Sequence, residues 1–286
     1  DSVSQAQFAV FRNRVLGATG QILRAINVTS PSAGSTTVSA NWILGPRLDQ
    51  AMIVQRRGTG SHQLRVDNNV ITGQDASGSD AVLIQANSTV TVVNNTLVHS
   101  RGGLRLNAFD SIVSGRYANN LVAFIDGIGL SINGAGNSVS NSHNLVYAVG
   151  SSAWTPGAST LTINPLLESP GYPYPTNSSP VIGAGNAADL PALVLFDANG
   201  ERRIALGNVD IGALEANGDA AQQLSADAGN TLFNEMRLIF PGFFTVSTDR
   251  LQVTPIHTAL PGLDQNLGVY LSGTVSTGIW SVFNQN

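Results

Sequence analysis

An asparagine recurs at near-constant intervals through the first half of this chain, and each copy is followed two residues later by a branched aliphatic residue. By residue number, successive copies lie 28, 28, 26, 25 and 24 residues apart. A period of this length is typical of repeat architectures, in which each repeat is one supersecondary unit. The six copies are Asn13, Asn41, Asn69, Asn95, Asn120 and Asn144.

Short apolar segments with period-2 alternation fill each repeat, separated by Gly, Asn, Asp and Ser. Most repeats hold three such segments, which predicts three short strands per rung of a β-solenoid. One rung cannot bury its inward side chains alone, so rungs must stack at the strand spacing of about 4.8 Å. We therefore predict an all-β, right-handed parallel β-helix of about six rungs over residues 1–150, its hand following the general rule for parallel crossovers.

The recurring asparagine has two predicted roles at the start of each strand. Asparagine tolerates the left-handed backbone conformation that a sharp corner requires. When asparagines stack on one another, the side-chain amides can also hydrogen-bond from coil to coil. The six asparagines are therefore predicted to form a structural ladder along one corner.

The sequence changes character after the repeats. Prolines become frequent from residue 165 onward, which predicts an irregular segment that covers the solenoid over residues 151–215. Residues 216–286 contain further short candidate strands and are predicted to form a small β-rich C-terminal appendage.

Four motifs in the covering segment carry a family resemblance. They are NPLL at residues 164–167, SPVIGAG at residues 179–185, the D-x-N-G-x-x-R pattern at residues 197–203, and VDIGALE at residues 209–215. In this order they resemble the C-terminal segment of bacterial right-handed β-helix repeat proteins, often called a choice-of-anchor Q domain. The resemblance implies an exported or surface-attached protein, and it implies a structural turn whose Arg202 or Arg203 pairs with an acid such as Asp210.

Composition restricts the partners and the place of action. The net charge is -4 and every cationic side chain is arginine, since lysine is absent. Proteins that bind nucleic acid usually carry a basic stripe, so we expect no nucleic-acid partner. No stretch reaches the ~18 apolar residues of a membrane span. Cysteine is also absent, which is compatible with export. The resemblance implies a secreted, extracellular or cell-surface protein.

Catalytic signals are sparse. Glycoside hydrolysis uses two carboxylates about 5–9.5 Å apart, and the acids of the repeats are scattered rather than paired. The best cationic group is His99, Arg101 and Arg105, with Asp110 or Asp126 a rung away. It is a candidate glycan contact, but a solvated outer surface on which arginine pairs weakly with aspartate explains it better. We assign no catalytic residue, no metal ligand and no cofactor. The loops 75–80 and 197–201, which start at Asp75 and Asp197, leave calcium binding open.

Two functions follow from these features. The first is a non-enzymatic extracellular structural or adhesive protein that self-assembles into a fibre or surface array, because an open solenoid end exposes unpaired strand groups. Its predicted contacts are Phe8, Val10 and Phe11 at the first rung, and Ile279, Trp280, Val282 and Phe283 in the C-terminal strand. The alternative is a polysaccharide-binding or polysaccharide-degrading β-helix protein, either a lyase or a glycoside hydrolase.

Overall fold

The computed structural model places parallel strands in the order of the repeats. It describes residues 6–16, 22–30, 34–44, 48–56, 62–73, 80–85, 89–107, 114–133, 138–153, 156–169, 172–191, 194, 196–204, 208–216, 246–247 and 278–279. The strands of the repeats are β1 Ala6–Phe11, β2 Arg14–Leu16, β3 Ile22–Ser30, β4 Gly34–Ser39, β5 Trp42–Leu44, β6 Leu48–Arg56, β7 His62–Asp67, β8 Val70–Thr72, β9 Asp80–Gln85, β10 Thr89–Val93, β11 Thr96–Ser100, β12 Gly103–Asn107, β13 Ser114–Ala118, β14 Leu121–Asn133, β15 Ser138–Ser142 and β16 Leu145–Ala153.

Strand pairing confirms a parallel β-solenoid. One sheet has the order β1-β4-β7-β10-β13-β15, so each of its strands pairs with the equivalent strand of the next repeat. A second sheet joins β2, β5, β8 and β11 to the first part of β14, and joins β3, β6, β9 and β12 to its last part. β14 therefore continues around a corner, and each repeat contributes three successive stretches of strand.

The interior of the solenoid is a continuous apolar column. Alternate residues of each strand face inward, as a pleated strand requires. Val38, Leu64, Val90 and Tyr117 are fully or almost fully buried, and belong to one cluster that runs through successive rungs. The core therefore sits inside the coil rather than between two separate layers.

The six recurring asparagines are joined by their side chains along one corner. From Asn13 to Asn120, each backbone N–H and each Nδ2 donates to the Oδ1 of the next asparagine, at 2.9–3.1 Å. From Asn41 onward, Nδ2 also donates to a carbonyl of the preceding rung, for example from Asn95 to Val66 at 2.9 Å. From Asn41 to Asn120, each amide therefore ties its own rung to both neighbours.

The left-handed corner was assigned to the wrong residue. None of the six ladder asparagines has a positive φ; the residue immediately before each one does, with φ between 50° and 55°. These preceding residues are Arg12, Ala40, Asn68, Asn94, Asn119 and His143. The ladder asparagine keeps its side-chain amide inside the corner, and the residue before it adopts the left-handed backbone conformation that turns the chain.

The segment after the repeats belongs to the same compact unit. The chain divides into Asp1–Ala216 and Asn217–Asn286. We call residues 156–216 the brace; it contains an antiparallel pair, β17 Leu167–Ser169 and β18 Tyr172–Pro175, and a short 3-10 turn at Ala187–Asp189. In the second unit, the described residues form one antiparallel pair, β19 Val246–Ser247 with β20 Gly278–Ile279.

The ladder predicts a large cost for removing one central amide. Asn95→Ala should lower the free energy of unfolding by roughly 3 kcal/mol or more, because buried donors and acceptors on three rungs lose their partners. Urea unfolding measures this. The matched control is Asn27→Ala on an exposed strand position, which should change stability by no more than about 0.5 kcal/mol. Equal midpoints for the two variants would show that the ladder does not stabilise the stack.

Candidate functional site

His99 lies at a second corner of the solenoid, in an aromatic stack. Its ring is parallel to that of Phe124, with centroids 4.6 Å apart, and Phe124 meets Tyr147 edge-on at 5.6 Å. His99 and Phe124 occupy equivalent positions on successive rungs, and both have positive φ. Partial burial lowers the pKa of His99. The three rings are partly exposed and line the outside of the corner.

The two arginines predicted beside His99 lie on the outer surface. Arg101 is exposed, and its carbonyl accepts a hydrogen bond from Gly127 of the next rung. Arg105 sits between the buried residues Leu104 and Leu106, so its side chain faces outward from β12. Asp126 is exposed, and Asp110 lies outside the described residues.

The first-rung residues differ in their exposure. Val10 packs against the core column, whereas Phe11 is 56% exposed. Phe8 lies within β1, but its side chain is outside the described residues. Among the described residues, β1 pairs only with β4, β2 only with β5, and β3 only with β6. One edge of this rung therefore has no described strand beside it.

Most of the predicted C-terminal contact residues lie outside the described residues. Ile279 pairs with Val246 in the short antiparallel pair of the second unit. Trp280, Val282 and Phe283 lie outside the described residues.

At its other end the solenoid is covered by the start of the brace. Leu161 N–H donates to Asn144 O at 2.8 Å, Val146 N–H donates to Leu161 O at 2.9 Å, and His143 N–H donates to the carbonyl of Ala158 at 2.9 Å. Ala158 and Leu161 form isolated parallel bridges to the last rung. Within the described residues, the last rung is therefore paired with the brace, whereas the first rung has one unpaired strand edge.

A buried charged network holds the middle of the brace against the ladder corner. Arg203 is fully buried and donates from Nη1 to Glu215 Oε1 at 2.7 Å and from Nη2 to Asn68 Oδ1 at 2.6 Å. Asp210 accepts hydrogen bonds from Gly183 N–H and Ala216 N–H, each at 2.6 Å. We expected Arg202 or Arg203 to pair with an acid such as Asp210; Arg203 does pair with an acid, which is Glu215, while Asp210 accepts hydrogen bonds from two backbone N–H groups.

Asp197 closes the turn that we considered for calcium. Its Oδ1 accepts from Asn199 N–H and Glu201 N–H, both at 2.8 Å, and its Oδ2 accepts from Glu215 N–H at 2.9 Å. Both carboxylate oxygens are used within the fold, which makes this a structural turn. The loop 75–80 lies outside the described residues apart from Asp80 at its end, and the residues that are described contain no cluster of three potential metal ligands.

Burial removes these carboxylates from water and so disfavours their charged forms. The pKa of Glu215 rises to about 8, mainly through desolvation, although Arg203 opposes the rise. Desolvation is also the largest cause of the raised pKa values of Asp67, Asp197 and Asp210. Four buried acids thus favour their protonated forms more in the folded chain than in the unfolded one.

Sequence reasoning missed a second asparagine column, which binds the brace. Asn68 donates to Phe196 O at 2.9 Å, Asn94 to Asp210 O at 3.2 Å, and Asn119 to Asn186 O at 3.1 Å. Each precedes a ladder asparagine and has the positive φ of the corner, which directs its side chain outward. The signal was available as the repeated Asn-Asn pairs at 68–69, 94–95 and 119–120.

A second apolar layer was also missed. The strands that follow the ladder have apolar residues on their outward side, and the brace covers them: Val98, Leu121 and Leu145 pack with Val181 and Ile211. A further cluster joins residues of the first rungs to the brace: Trp42, Val70, Ala198, Ala213 and Leu214. Uninterrupted apolar runs such as residues 121–123 are typical of strands buried on both faces.

One glycine of the brace is required by this close packing. Gly212 has φ of +110°, and a Cβ there would lie 2.7 Å from Thr96 Oγ1. Its N–H donates to Asn119 O at 2.8 Å. The VDIGALE motif therefore approaches the solenoid at a point that only glycine can occupy without strain.

Ser142, His143 and Asp189 come together without forming a catalytic triad. Ser142 Oγ donates directly to Asp189 Oδ2 at 2.8 Å, and His143 Nδ1 lies 3.7 Å from the same oxygen. A nucleophilic serine must instead donate to the imidazole that serves as its base. Arg116 Nε, 3.4 Å from Asp189 Oδ1, completes a structural contact between the last rungs and the brace.

No family model, curated protein or solved structure matches this chain. Within the described residues, no helix is long and apolar enough to cross a membrane.

The buried acids predict a stability that falls as pH rises. Between about pH 4.5 and pH 8 the folded chain holds the Glu215 proton more tightly than the unfolded chain, so raising pH across this window should lower the free energy of unfolding. Urea unfolding at pH 5, 6.5 and 8 measures this. Glu215→Gln should flatten the dependence, whereas Glu168→Gln, at an exposed position, should leave it unchanged. Stability that rises from pH 5 to pH 8 would contradict this account.

Proposed function

We propose that this protein is a non-enzymatic structural or adhesive protein that acts outside the cell and self-assembles into a fibre or surface array. The observation that carries the proposal is the difference between the two ends of its solenoid. The last rung is covered by Ala158 and Leu161, whereas the first rung has a strand edge with no described partner and an exposed Phe11 beside it. Unpaired strand edges recruit further strands, so this end is the expected site of self-association.

The finer architecture belongs to the same proposal. It is a right-handed solenoid of about six rungs over residues 1–150, a covering segment over residues 151–215, and a β-rich appendage over residues 216–286 that supplies the C-terminal strand. The similarity to choice-of-anchor Q segments supports export or surface attachment. In this chain the motifs of that resemblance contribute four hydrogen-bonded residues. Asp197 and Glu215 bond within the brace, whereas Arg203 and Gly212 bond to Asn68 and Asn119 of the solenoid.

The buried carboxylates of the brace and the Ser142 hydroxyl support a structural role. Asp197, Asp210 and Glu215 each accept backbone N–H groups or pair with Arg203, and Ser142 bonds to a carboxylate. Groups engaged in this way organise the fold and are not poised to act on a substrate.

The open edge predicts one sensitive position. Phe11→Asp places a charge beside the first-rung edge and should convert assemblies of the full chain into monomers. Light scattering after size-exclusion chromatography, with negative-stain electron microscopy, measures this. Ile204→Asp is the matched control, because Ile204 is 47% exposed but lies on the brace, and it should leave assembly intact. A wild-type chain that stays monomeric at high concentration would refute the proposal.

A second candidate is polysaccharide binding at the His99 corner. The partly exposed rings of His99, Phe124 and Tyr147 form a platform of the type that stacks on sugar rings, and Arg101 lies two residues beyond His99. The aromatic stack is the observation that favours polysaccharide binding or polysaccharide degradation at this corner.

The aromatic stack gives this candidate its own test. Phe124→Ala should reduce retention in affinity electrophoresis against acidic polysaccharides several-fold, because it removes the central ring. Ile163→Ala, at an apolar residue of the brace that is 51% exposed, serves as the control. Equal mobility of both variants and the wild type in every polysaccharide would argue against binding at this corner.

A further inference from the structure

The asparagine ladder has a direction, and this direction restricts what can bind the first rung. In every link the donors belong to the earlier rung and the acceptor Oδ1 to the later one. Asn13 therefore donates to Asn41, and in the described residues no donor reaches the Oδ1 of Asn13. A strand that binds this edge must bring N–H donors to that oxygen.

The Nδ2 of Asn13 is a second group at this edge that an incoming strand could bind. From Asn41 onward, each Nδ2 reaches back to the carbonyl three residues before the preceding ladder asparagine, as from Asn41 to Val10 O at 3.2 Å. Asn13 has no described earlier rung, and its Nδ2 contacts its own Phe11 O at 3.4 Å. A parallel strand in phase with β1 would satisfy both the Oδ1 and this donor.

The ladder also disfavours two first rungs facing each other. In that arrangement the facing strands would run antiparallel, so neither copy would supply the parallel strand that Asn13 Oδ1 and Nδ2 require in the geometry of the other links. The last rung of a second copy is covered by its own Ala158 and Leu161. The remaining strand must come from outside the solenoid.

A segment near the C-terminus repeats the sequence pattern of β1. Residues 8–13 read FAVFRN and residues 280–285 read WSVFNQ, so aromatic, small, Val, Phe, polar and amide residues occur in the same order. The alignment places Val282 at the position of Val10, which packs on the core, and Ser281 at that of Ala9, which is exposed. It places Asn284 at the left-handed corner position, which other rungs fill with asparagine, and Gln285 at the ladder position.

We infer that residues 278–285 of a second copy bind parallel to β1 in this register, with Gln285 donating to Asn13 Oδ1 and Val282 extending the apolar column. The inference rests on the proposed self-assembly and names its partner segment. A strand supplied by one copy to the next, without a reciprocal contact, is heterologous and propagates into a filament.

Disulfide trapping tests the register cleanly, because the chain has no cysteine of its own. Neighbouring parallel strands place paired Cα atoms about 4.8 Å apart, within the range that a disulfide bridges. Ala9→Cys protein mixed with Ser281→Cys protein should form a covalent heterodimer under mild oxidation, seen on a non-reducing gel. Ala9→Cys mixed with Val282→Cys is the control; it is one residue out of register, on the opposite face, and should cross-link at least tenfold less.

The outcomes separate this inference from the proposed function. A heterodimer specific to the Ser281→Cys partner supports the inference. Equal cross-linking of both partners overturns the register, and a bridge that forms only within one chain of the Ala9→Cys, Ser281→Cys double variant overturns the second-copy donor. If wild-type assemblies form and depend on Phe11 but no cross-link appears, self-assembly stands and this strand exchange is wrong.

Discussion

The side-chain amides of six asparagines determine how the rungs of this solenoid stack. Each interior amide bonds to both neighbouring rungs, so the position of one rung fixes the position of the next. The amides are buried, and a buried amide without partners costs about 1–3 kcal/mol for each unsatisfied group. A slipped register would break several of these bonds at once. The inward column of Val, Leu and Ile residues provides the main driving force for stacking, and the ladder selects one arrangement of it.

The brace depends on the same corner. Because the ladder asparagine points into the corner, the left-handed residue before it points out, and at three rungs this residue is Asn68, Asn94 or Asn119. Their amides bond to the backbone of the brace, and Arg203 reaches in to the first of them. In each of these turns, the ladder asparagine bonds to neighbouring rungs on the inner side, and the asparagine before it bonds to the brace on the outer side.

Much of this fold could be predicted from the sequence, because its causes repeat at a fixed period. Six phased asparagines and alternating apolar strands indicate a parallel solenoid directly. The brace could be predicted only as a covering segment, since Arg203 could pair with several acids and only packing selects Glu215. The left-handed position was missed because asparagine occurs at both members of the pairs 68–69, 94–95 and 119–120, and composition does not distinguish them. Likewise, nothing local in the sequence reveals that Ser142 bonds to Asp189 rather than to an imidazole.

The path of the brace has a mechanical consequence. From Trp42 on the second rung to Ser142 near the last, its contacts are distributed along the solenoid axis rather than gathered at one rung. A tensile load that separates two neighbouring rungs must therefore stretch the brace across the gap while it breaks the ladder bonds between them. The ladder bonds and the brace therefore carry an axial force together and break together. The same chain pulled from its C-terminal side could instead lose the brace one contact at a time, at much lower force. The direction of loading, more than the total number of bonds, would set the strength of any fibre built from this solenoid.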